Sequence, residues 1–210
     1  MASTTIYGGV KITWLGHASV LLEGDGLAFY VDPFLVPKGA RPADAILYTH
    51  SHHDHCVQAP SITTNKTVQI GYNCKIPARV VQIGAKEKIG GVIVEAVHAY
   101  NVSKDFHPKG FGAGYILRFR GVSVYVAGDT DLIPEMKDYK CDVALVPIGG
   151  TYTMGPQEAA EAVALILPKV AIPVHYNYLS GTMADPQAFR RAVEARTGRD
   201  VDVRILTPML

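Results

Sequence analysis

Short apolar runs, separated by glycine, proline and polar residues, set the pattern of the first two thirds of the chain. Runs of this length that are rich in β-branched and aromatic residues are typical of strands. Gly121 divides the last two runs, which predicts a hairpin at that point. The predicted strands are residues 11–15, 19–23, 27–31, 44–49, 68–70, 80–83, 92–95, 115–120 and 122–127.

The last third alternates strand-like runs with two stretches of helical periodicity. The runs are residues 142–146, 170–174 and 201–206. The first helix is expected to begin at Pro156, and the second to begin with Asp185 as its N-cap and to end at Gly198. Apolar residues recur in both stretches at helical spacing, so each helix has one face for the core. These faces are Ala160, Val163, Ala164 and Leu167 in the first helix and Phe189, Ala192 and Val193 in the second.

Composition narrows the class of protein. Because strands and helices alternate without a linker, we expect one α/β domain over residues 1–210. A formal net charge of +1 gives no strong field toward nucleic acid, so no nucleic-acid partner is expected. No apolar run reaches the ~18 residues of a membrane span, and the N-terminus lacks a signal-peptide pattern. Three cysteines, Cys56, Cys74 and Cys141, favour reduced thiols and a cytoplasmic location.

The segment that says most about chemistry is His-Ser-His-His-Asp-His, residues 50–55. Several imidazoles and a carboxylate share one short loop here, and burying each such group without a partner costs ~2–7 kcal/mol. A bound metal ion is the usual solution, because imidazole and carboxylate are common ligands of zinc and its neighbours. The segment follows a predicted strand, which indicates a metal-binding loop at a strand end.

Three more residues of ligand type follow predicted strands elsewhere in the chain. Each stands where an apolar run gives way to a loop, and scattered surface residues would not follow strand ends in this way. We therefore expect these residues to join the loop at residues 50–55 in a site large enough for two ions. They are His98, Asp129 and His175.

In its order of motifs the chain resembles the metallo-β-lactamase superfamily, whose HxHxDH signature is matched by residues 50–55. The resemblance covers essentially the whole chain and implies a four-layer αβ/βα sandwich. It also implies a dinuclear metal site between the edges of the two sheets. His53 falls at a variable position of the signature and is not implied as a ligand. The implied ligands are His50, His52 and His98 for the first ion and Asp54, His55 and His175 for the second, with Asp129 bridging.

A finer similarity is to a branch of small metal-dependent hydrolases. That branch looks related to ascorbate-6-phosphate lactonases and to the N-acyl phosphatidylethanolamine phospholipase D group. The two groups act on different substrates, so the similarity does not specify the substrate. The segments that carry the similarity are residues 12–19, 127–130, 147–150, 152–155 and 174–177.

Residues outside the implied ligand set are candidates for supporting roles. Asp32, at the end of a strand, is expected to orient the metal loop or an imidazole N–H. His17 either projects into the site as a catalytic residue or hydrogen-bonds within its turn, and His107 contacts substrate or acts as a general acid. The remaining candidates are Asn101 and Asn177 as hydrogen-bond donors to substrate, and Cys56 as a small buried residue rather than a ligand.

The implied centre predicts a hydrolase of an ester, a lactone or a phosphodiester. A metal-bridging hydroxide would attack, because coordination lowers the pKa of water from about 15.7 to about 7, and Asp54 would accept the proton. Two divalent ions are expected, with zinc first and manganese or iron as alternatives, because these ligands discriminate weakly among them. The competing functions are a mononuclear iron oxidoreductase similar to persulfide dioxygenases, which share the fold, and a non-catalytic metal-binding module.

The expected partner is a small-molecule substrate, and residues 99–112 form a polar loop long enough to bind it. Lys104 and Lys109 in this loop indicate an anionic group on the substrate. Tyr100 and Phe106 indicate an apolar or ring contact. The sequence leaves these two possibilities open.

Overall fold

The computed structural model describes residues 2–76 and 78–210, and its strands form two seven-stranded sheets. The first sheet runs in chain order from β1 to β7, and the second runs in the order β14 to β8. The first contains β1 Thr4–Tyr7, β2 Val10–Gly16, β3 Ser19–Gly24, β4 Leu27–Val31, β5 Ala45–Tyr48, β6 Val68–Gly71 and β7 Arg79–Val80. The second contains β8 Lys86–Ile89, β9 Val92–Ala99, β10 Gly112–Phe119, β11 Val122–Val126, β12 Val143–Pro147, β13 Val170–Val174 and β14 Asp202–Val203.

The two sheets have the same sequence of antiparallel and parallel strand pairings. Strands β1 to β4 pair antiparallel and β4 to β7 pair parallel. In the second sheet β8 to β11 pair antiparallel and β11 to β14 pair parallel. The loops after parallel strands therefore leave each sheet at the same edge, which is where open sheets place their functional residues.

The main core lies between the sheets. Phe29 of β4 and Phe119 of β10 meet edge to face with 5.6 Å between ring centroids, a contact worth ~0.5–1.5 kcal/mol beyond area burial. The Tyr115 hydroxyl donates a 2.8 Å hydrogen bond to the carbonyl oxygen of Tyr48 in the facing sheet. A Cβ at Gly24 would lie 2.8 Å from the Phe119 ring, so this position accepts only glycine without a shift. The sheets thus approach each other closely at Gly24, at the end of β3 and β10 that lies away from the β2–β3 turn.

The outer layers differ between the sheets. Helices α1, Pro156–Ile166, and α2, Pro186–Thr197, share the main core through residues such as Val163 and Phe189. On the first sheet Tyr30 and Ile46 point outward into a second cluster, which Ala43 and Ile62 of the connecting loops cover. Two packed sheets, with both helices on the outer face of the second, confirm the predicted α/β sandwich. No helix among the described residues is long and apolar enough to cross a membrane.

Most predicted elements are present, with differences at their ends. Asp185 caps α2 as predicted, and its side chain accepts a hydrogen bond from the Gln187 amide over 2.8 Å. Leu167 is not part of the predicted helix face, because α1 ends at Ile166 and Leu167 adopts a left-handed conformation, φ 53°. Strands β1 and β8 were not predicted, since their residues are mostly polar and partly exposed.

The expectation of three reduced cysteines is wrong. Cys56 and Cys74 form a disulfide with 5.9 Å between their Cα atoms, and Cys141 is the free thiol. Cys56 is consequently not a buried free residue, and it joins the loop after β5 to the loop after β6. The pair brings together residues 18 apart in sequence, which no spacing rule for isolated cysteines would have indicated.

Candidate metal centre

The loops at one edge of the sandwich converge on a cluster of histidine and aspartate side chains. Contributions come from the β2–β3 turn and from the loops that follow β5, β9, β11 and β13. All members are buried except His52, which is half-buried. Close to the cluster, a Cβ at Gly128 would lie 3.1 Å from Thr49, so glycine lets the loop after β11 approach the loop after β5. The members are His17, His50, His52, Asp54, His55, His107, Asp129 and His175.

One group of three imidazoles consists of His50, His52 and His107. His50 Nε2 lies 3.0 Å from His52 Nδ1, which lies 3.2 Å from His107 Nε2. His107 Nδ1 is 2.9 Å from Asn101 Oδ1, which can only accept, so the proton of His107 is on Nδ1 and Nε2 carries a lone pair. At least two lone pairs therefore face one small space, and a cation there would satisfy them.

Asp32 controls the orientation of two of the imidazoles. Its Oδ2 accepts hydrogen bonds from His55 Nδ1, over 2.7 Å, and from the Thr49 hydroxyl, over 2.6 Å. Thr49 Oγ1 in turn lies 2.9 Å from His50 Nδ1 and can accept its proton. Both Nε2 atoms are then left as acceptors directed into the cluster. The predicted orienting role of Asp32 agrees with this geometry.

A second group contains His17, Asp54, His55 and His175. His17 Nε2 lies 2.9 Å from Asp54 Oδ2, and the His17 and His175 rings are 4.1 Å apart. His55 Nε2 and both ring nitrogens of His175 are buried without a hydrogen-bond partner among the described residues. Unpartnered buried polar atoms are rare in native proteins, and each needs an explanation. A cation bound between His55 Nε2 and one ring nitrogen of His175 supplies one for those two atoms, so the residues of the group fit a metal ion.

Asp129 lies between the two groups. Its Oδ1 is 3.2 Å from His175 Nε2 and 3.5 Å from His55 Nε2, and its Oδ2 is 3.3 Å from His107 Nε2. Each carboxylate oxygen thus faces a different group. This is the arrangement that a carboxylate bridging two ions requires.

The electrostatics of the cluster favour positive charge at its centre. Burial is the largest effect on Asp129 and would raise its pKa, but His175 and His55 outweigh it and hold the pKa well below the ordinary value. Burial likewise lowers the pKa of His55, yet Asp129 and Asp32 together raise it to about 9. Carboxylates that attract a proton to a fully buried imidazole would also attract a metal ion. Burial keeps the pKa of His50 well below its usual range, which leaves it neutral and able to act as a ligand.

The structure does not bring His98, one of the ligands implied by the resemblance, to the cluster. Strand β9 continues through His98, which pairs with Ala113 of β10 and is half-exposed. The chain leaves the sheet only after Ala99, and the following loop folds back so that His107 reaches the site. The structure places His107 beside His50 and His52, where the sequence placed His98, and His107 also lines the cavity at the site, so its role as general acid or substrate contact stays a prediction.

The two asparagine side chains order loops instead of reaching into the site. The Asn101 amide accepts from His107 and donates to Asp131 Oδ1 over 2.9 Å and to the Tyr152 carbonyl over 3.0 Å. Asn177 Oδ1 accepts from the Ala184 amide over 2.8 Å and so organises the loop after β13. For Asn101 the expectation of a substrate contact is wrong, because its hydrogen-bonding groups are already engaged.

A cavity of about 250 Å³ opens directly onto the cluster. Asp54, Asp129 and His175 form part of its floor, and Phe106, Tyr152 and Leu179 form part of its wall. A substrate in this cavity would contact the histidine and aspartate groups on one side and the apolar wall on the other.

The comparison with known proteins agrees with this geometry. Residues 11–175 match the family described as a beta-lactamase superfamily domain. A UPF0173 metal-dependent hydrolase of Methanoregula boonei is 41% identical over 218 residues, covering 95% of this chain and 96% of that protein. A UPF0173 metal-dependent hydrolase of Archaeoglobus fulgidus is 38% identical over 226 residues, with coverages of 95% and 96%.

Solved structures give the same result. A structure from Parabacteroides distasonis has a TM-score of 0.83 and 33% identity, covering 95% of this chain and 93% of that one. A metallo hydrolase from Ignicoccus hospitalis has a TM-score of 0.76 and 29% identity, with both coverages 95%. The match over residues 11–175 and the identity of 41% over nearly full length lead to one conclusion. The chain belongs to the metallo-β-lactamase superfamily and, within it, to the family of UPF0173 metal-dependent hydrolases.

Proposed function

We propose that this protein is a hydrolase that uses two divalent metal ions to cleave an ester, a lactone or a phosphodiester. The observation that carries the proposal is the position of Asp129, whose two oxygens face different groups of imidazoles at 3.2 and 3.3 Å. The first ion would be held by His50, His52 and His107, the second by Asp54, His55 and His175, and Asp129 would bridge them. Two ligand groups favour this arrangement over the single iron of the competing oxidoreductase.

When bound, such ions supply a water-derived hydroxide at neutral pH and polarise the carbonyl or phosphoryl oxygen of the substrate. Asp54 is placed to take up the proton released in the attack, because its carboxylate lines the cavity and is 8% exposed. His17 Nε2 is 2.9 Å from Asp54 Oδ2, so it holds this carboxylate in position and can share the added proton. We assign His17 as a positioning residue on this geometry.

Asp32 lowers the net charge of the proposed two-ion centre by one unit. Two divalent ions, Asp54, Asp129 and a hydroxide would leave one positive charge. Asp32 is 1% exposed and lies 2.7 Å from His55 Nδ1, so its negative charge belongs to the same buried centre. The centre as a whole would then be neutral at rest. It would stabilise negative charge that develops on a reacting oxygen without strongly attracting an anion in the ground state.

The test is metal-dependent turnover of esters, lactones and phosphodiesters by the purified protein and two variants. His52→Ala removes an imidazole of the first group, and we expect kcat/KM to fall by at least about 10²-fold, as losses of key electrostatic contacts do. His98→Ala is the matched control, because this histidine lies outside the cluster, and its activity should equal that of the parent. Full activity of metal-replete His52→Ala would contradict the assignment.

A further inference from the structure

The cavity above the cluster lacks the positive side chains that the loop sequence predicted for binding an anionic substrate. Lys104 and Lys109 were the residues that indicated an anionic substrate. Lys104 Nζ bonds Asp131 Oδ1 and lies 3.7 Å from Glu158, and Lys109 Nζ lies 2.9 Å from Glu135 Oε1. Both ammonium groups are neutralised by carboxylates of the protein. Among the described residues that line the cavity there is no lysine or arginine.

One part of the cavity wall is apolar and aromatic, and the remainder of the wall consists of Ser180 and the imidazoles of His52, His53 and His107. The rings of Phe106 and Tyr152 meet edge to face with 4.8 Å between centroids, and Leu179 faces the cavity from the loop after β13. Phe106 is 45% exposed, which is high for a phenylalanine and leaves much of its ring free to contact a ligand. Asp54 and Asp129 are the carboxylates that line the cavity among the described residues.

Size and charge together restrict the substrate. A cavity of about 250 Å³ is smaller than the ~300–1,000 Å³ of sites for drug-sized ligands, so it suits a short acyl group or a single ring. A charged group placed against Phe106 and Leu179 would lose hydration without gaining a cationic partner, which is unfavourable. A neutral group would gain apolar contacts at the same place.

We infer that the site takes small neutral esters or lactones with an apolar or aromatic group, in preference to substrates that carry a second, anionic group. The inference rests on the proposed hydrolase function and specifies its substrate class. Recognition depends on the wall of Phe106, Tyr152 and Leu179, and Lys104 and Lys109 serve to hold the loop in place.

The experiment compares two esters with one leaving group, 4-nitrophenyl butyrate and 4-nitrophenyl succinate, which differ in one remote carboxylate. We expect the metal-loaded protein to prefer the neutral ester in kcat/KM by about tenfold or more, since an unpartnered carboxylate costs at least about that factor in binding. Phe106→Lys places a cation at the wall. It should lower the ratio of kcat/KM for the butyrate ester to kcat/KM for the succinate ester by about threefold or more, because KM for the succinate ester falls. Val102→Lys is the matched control, since Val102 is in the same loop and 65% exposed outside the cavity wall.

Equal or faster turnover of the succinate ester would overturn the inference and leave the hydrolase proposal intact. Binding is measured separately, by saturation-transfer NMR with butyranilide and succinanilate, the amide analogues of the two esters. Tighter binding of butyranilide supports the inference even if neither ester is turned over, and that result would contradict the proposed function alone. Tighter binding of succinanilate would contradict the inference, whatever the turnover.

Discussion

At the scale of single residues, Asp32 has the widest influence on the cluster. Its Oδ1 accepts from the Thr49 amide over 2.8 Å, and its Oδ2 accepts from the Thr49 hydroxyl and from His55 Nδ1. It therefore fixes the start of the metal loop and the direction of two imidazoles. Its own backbone is left-handed, φ 45°, a conformation that asparagine and aspartate tolerate better than other residues with a side chain.

Asp32→Asn keeps the shape and the backbone preference but removes the charge and one acceptor. We expect the affinity for the metal ions to fall by about 10- to 100-fold, as for other losses of a group that orients a ligand. Competition with a chromophoric chelator measures this affinity. Asp200→Asn, at an exposed position beyond α2, is the control and should leave the affinity unchanged. An unchanged affinity in Asp32→Asn would show that Asp32 does not orient the ligands.

Some residues of the site could be predicted from the sequence and others could not. The loop at residues 50–55 is contiguous, so its ligand chemistry could be recognised without knowledge of the fold. The third imidazole of the first group could not be assigned in this way. His98 and His107 lie on either side of the point where β9 ends, and only the pairing of His98 with Ala113 shows that the strand continues past it. The carbonyl oxygen of His107 accepts a 2.7 Å hydrogen bond from the Asn101 backbone amide. This bond folds the loop back toward the site, and sequence patterns did not predict it.

At the scale of elements, the disulfide connects the metal loop to the rest of the first sheet. Cys56 directly follows the last histidine of the loop, and Cys74 lies between β6 and β7. The bond closes a loop over 18 residues of sequence. It restricts the unfolded chain and limits how far the loop after β5 can move from the sheet.

Cys74→Ser should lower the free energy of unfolding by about 3 kcal/mol, the value expected for closing a loop of roughly this length. Urea denaturation of the two proteins measures the difference. Addition of a reductant should bring the parent down to the stability of the variant and leave the variant unchanged. A parent protein whose stability does not respond to reductant would contradict the presence of this bond.

Elements with strong local signals were the most predictable. Pro156 and Asp185 mark the starts of α1 and α2 because a proline in the first turn and an N-cap carboxylate act within one turn of helix. The end of α1 was not predictable, because Leu167 takes a left-handed conformation that normally favours glycine. Strand β14 is only Asp202–Val203, shorter than the apolar run suggested, since pairing to β13 covers two residues.

At the scale of the whole molecule, both sheets contribute to the centre. The loop at residues 50–55 leaves the first sheet, whereas His107, Asp129 and His175 leave the second. The antiparallel-to-parallel plan of each sheet brings these loops to one edge. The strand-end positions of Asp129 and His175 predicted that they join residues 50–55. The placement of the site between the edges of two sheets was implied only by the resemblance, because local patterns of polarity do not encode which strand edges meet.

Metal content per chain tests the two-ion centre most directly. Elemental analysis of protein purified without added metal should find about two zinc, manganese or iron ions per chain, since two ligand groups share Asp129. His107→Ala should retain about one ion, whereas His98→Ala should retain both. A single iron per chain in the parent would contradict the dinuclear hydrolase and favour the oxidoreductase. Loss of an ion from His98→Ala but not from His107→Ala would contradict the assignment of the ligands.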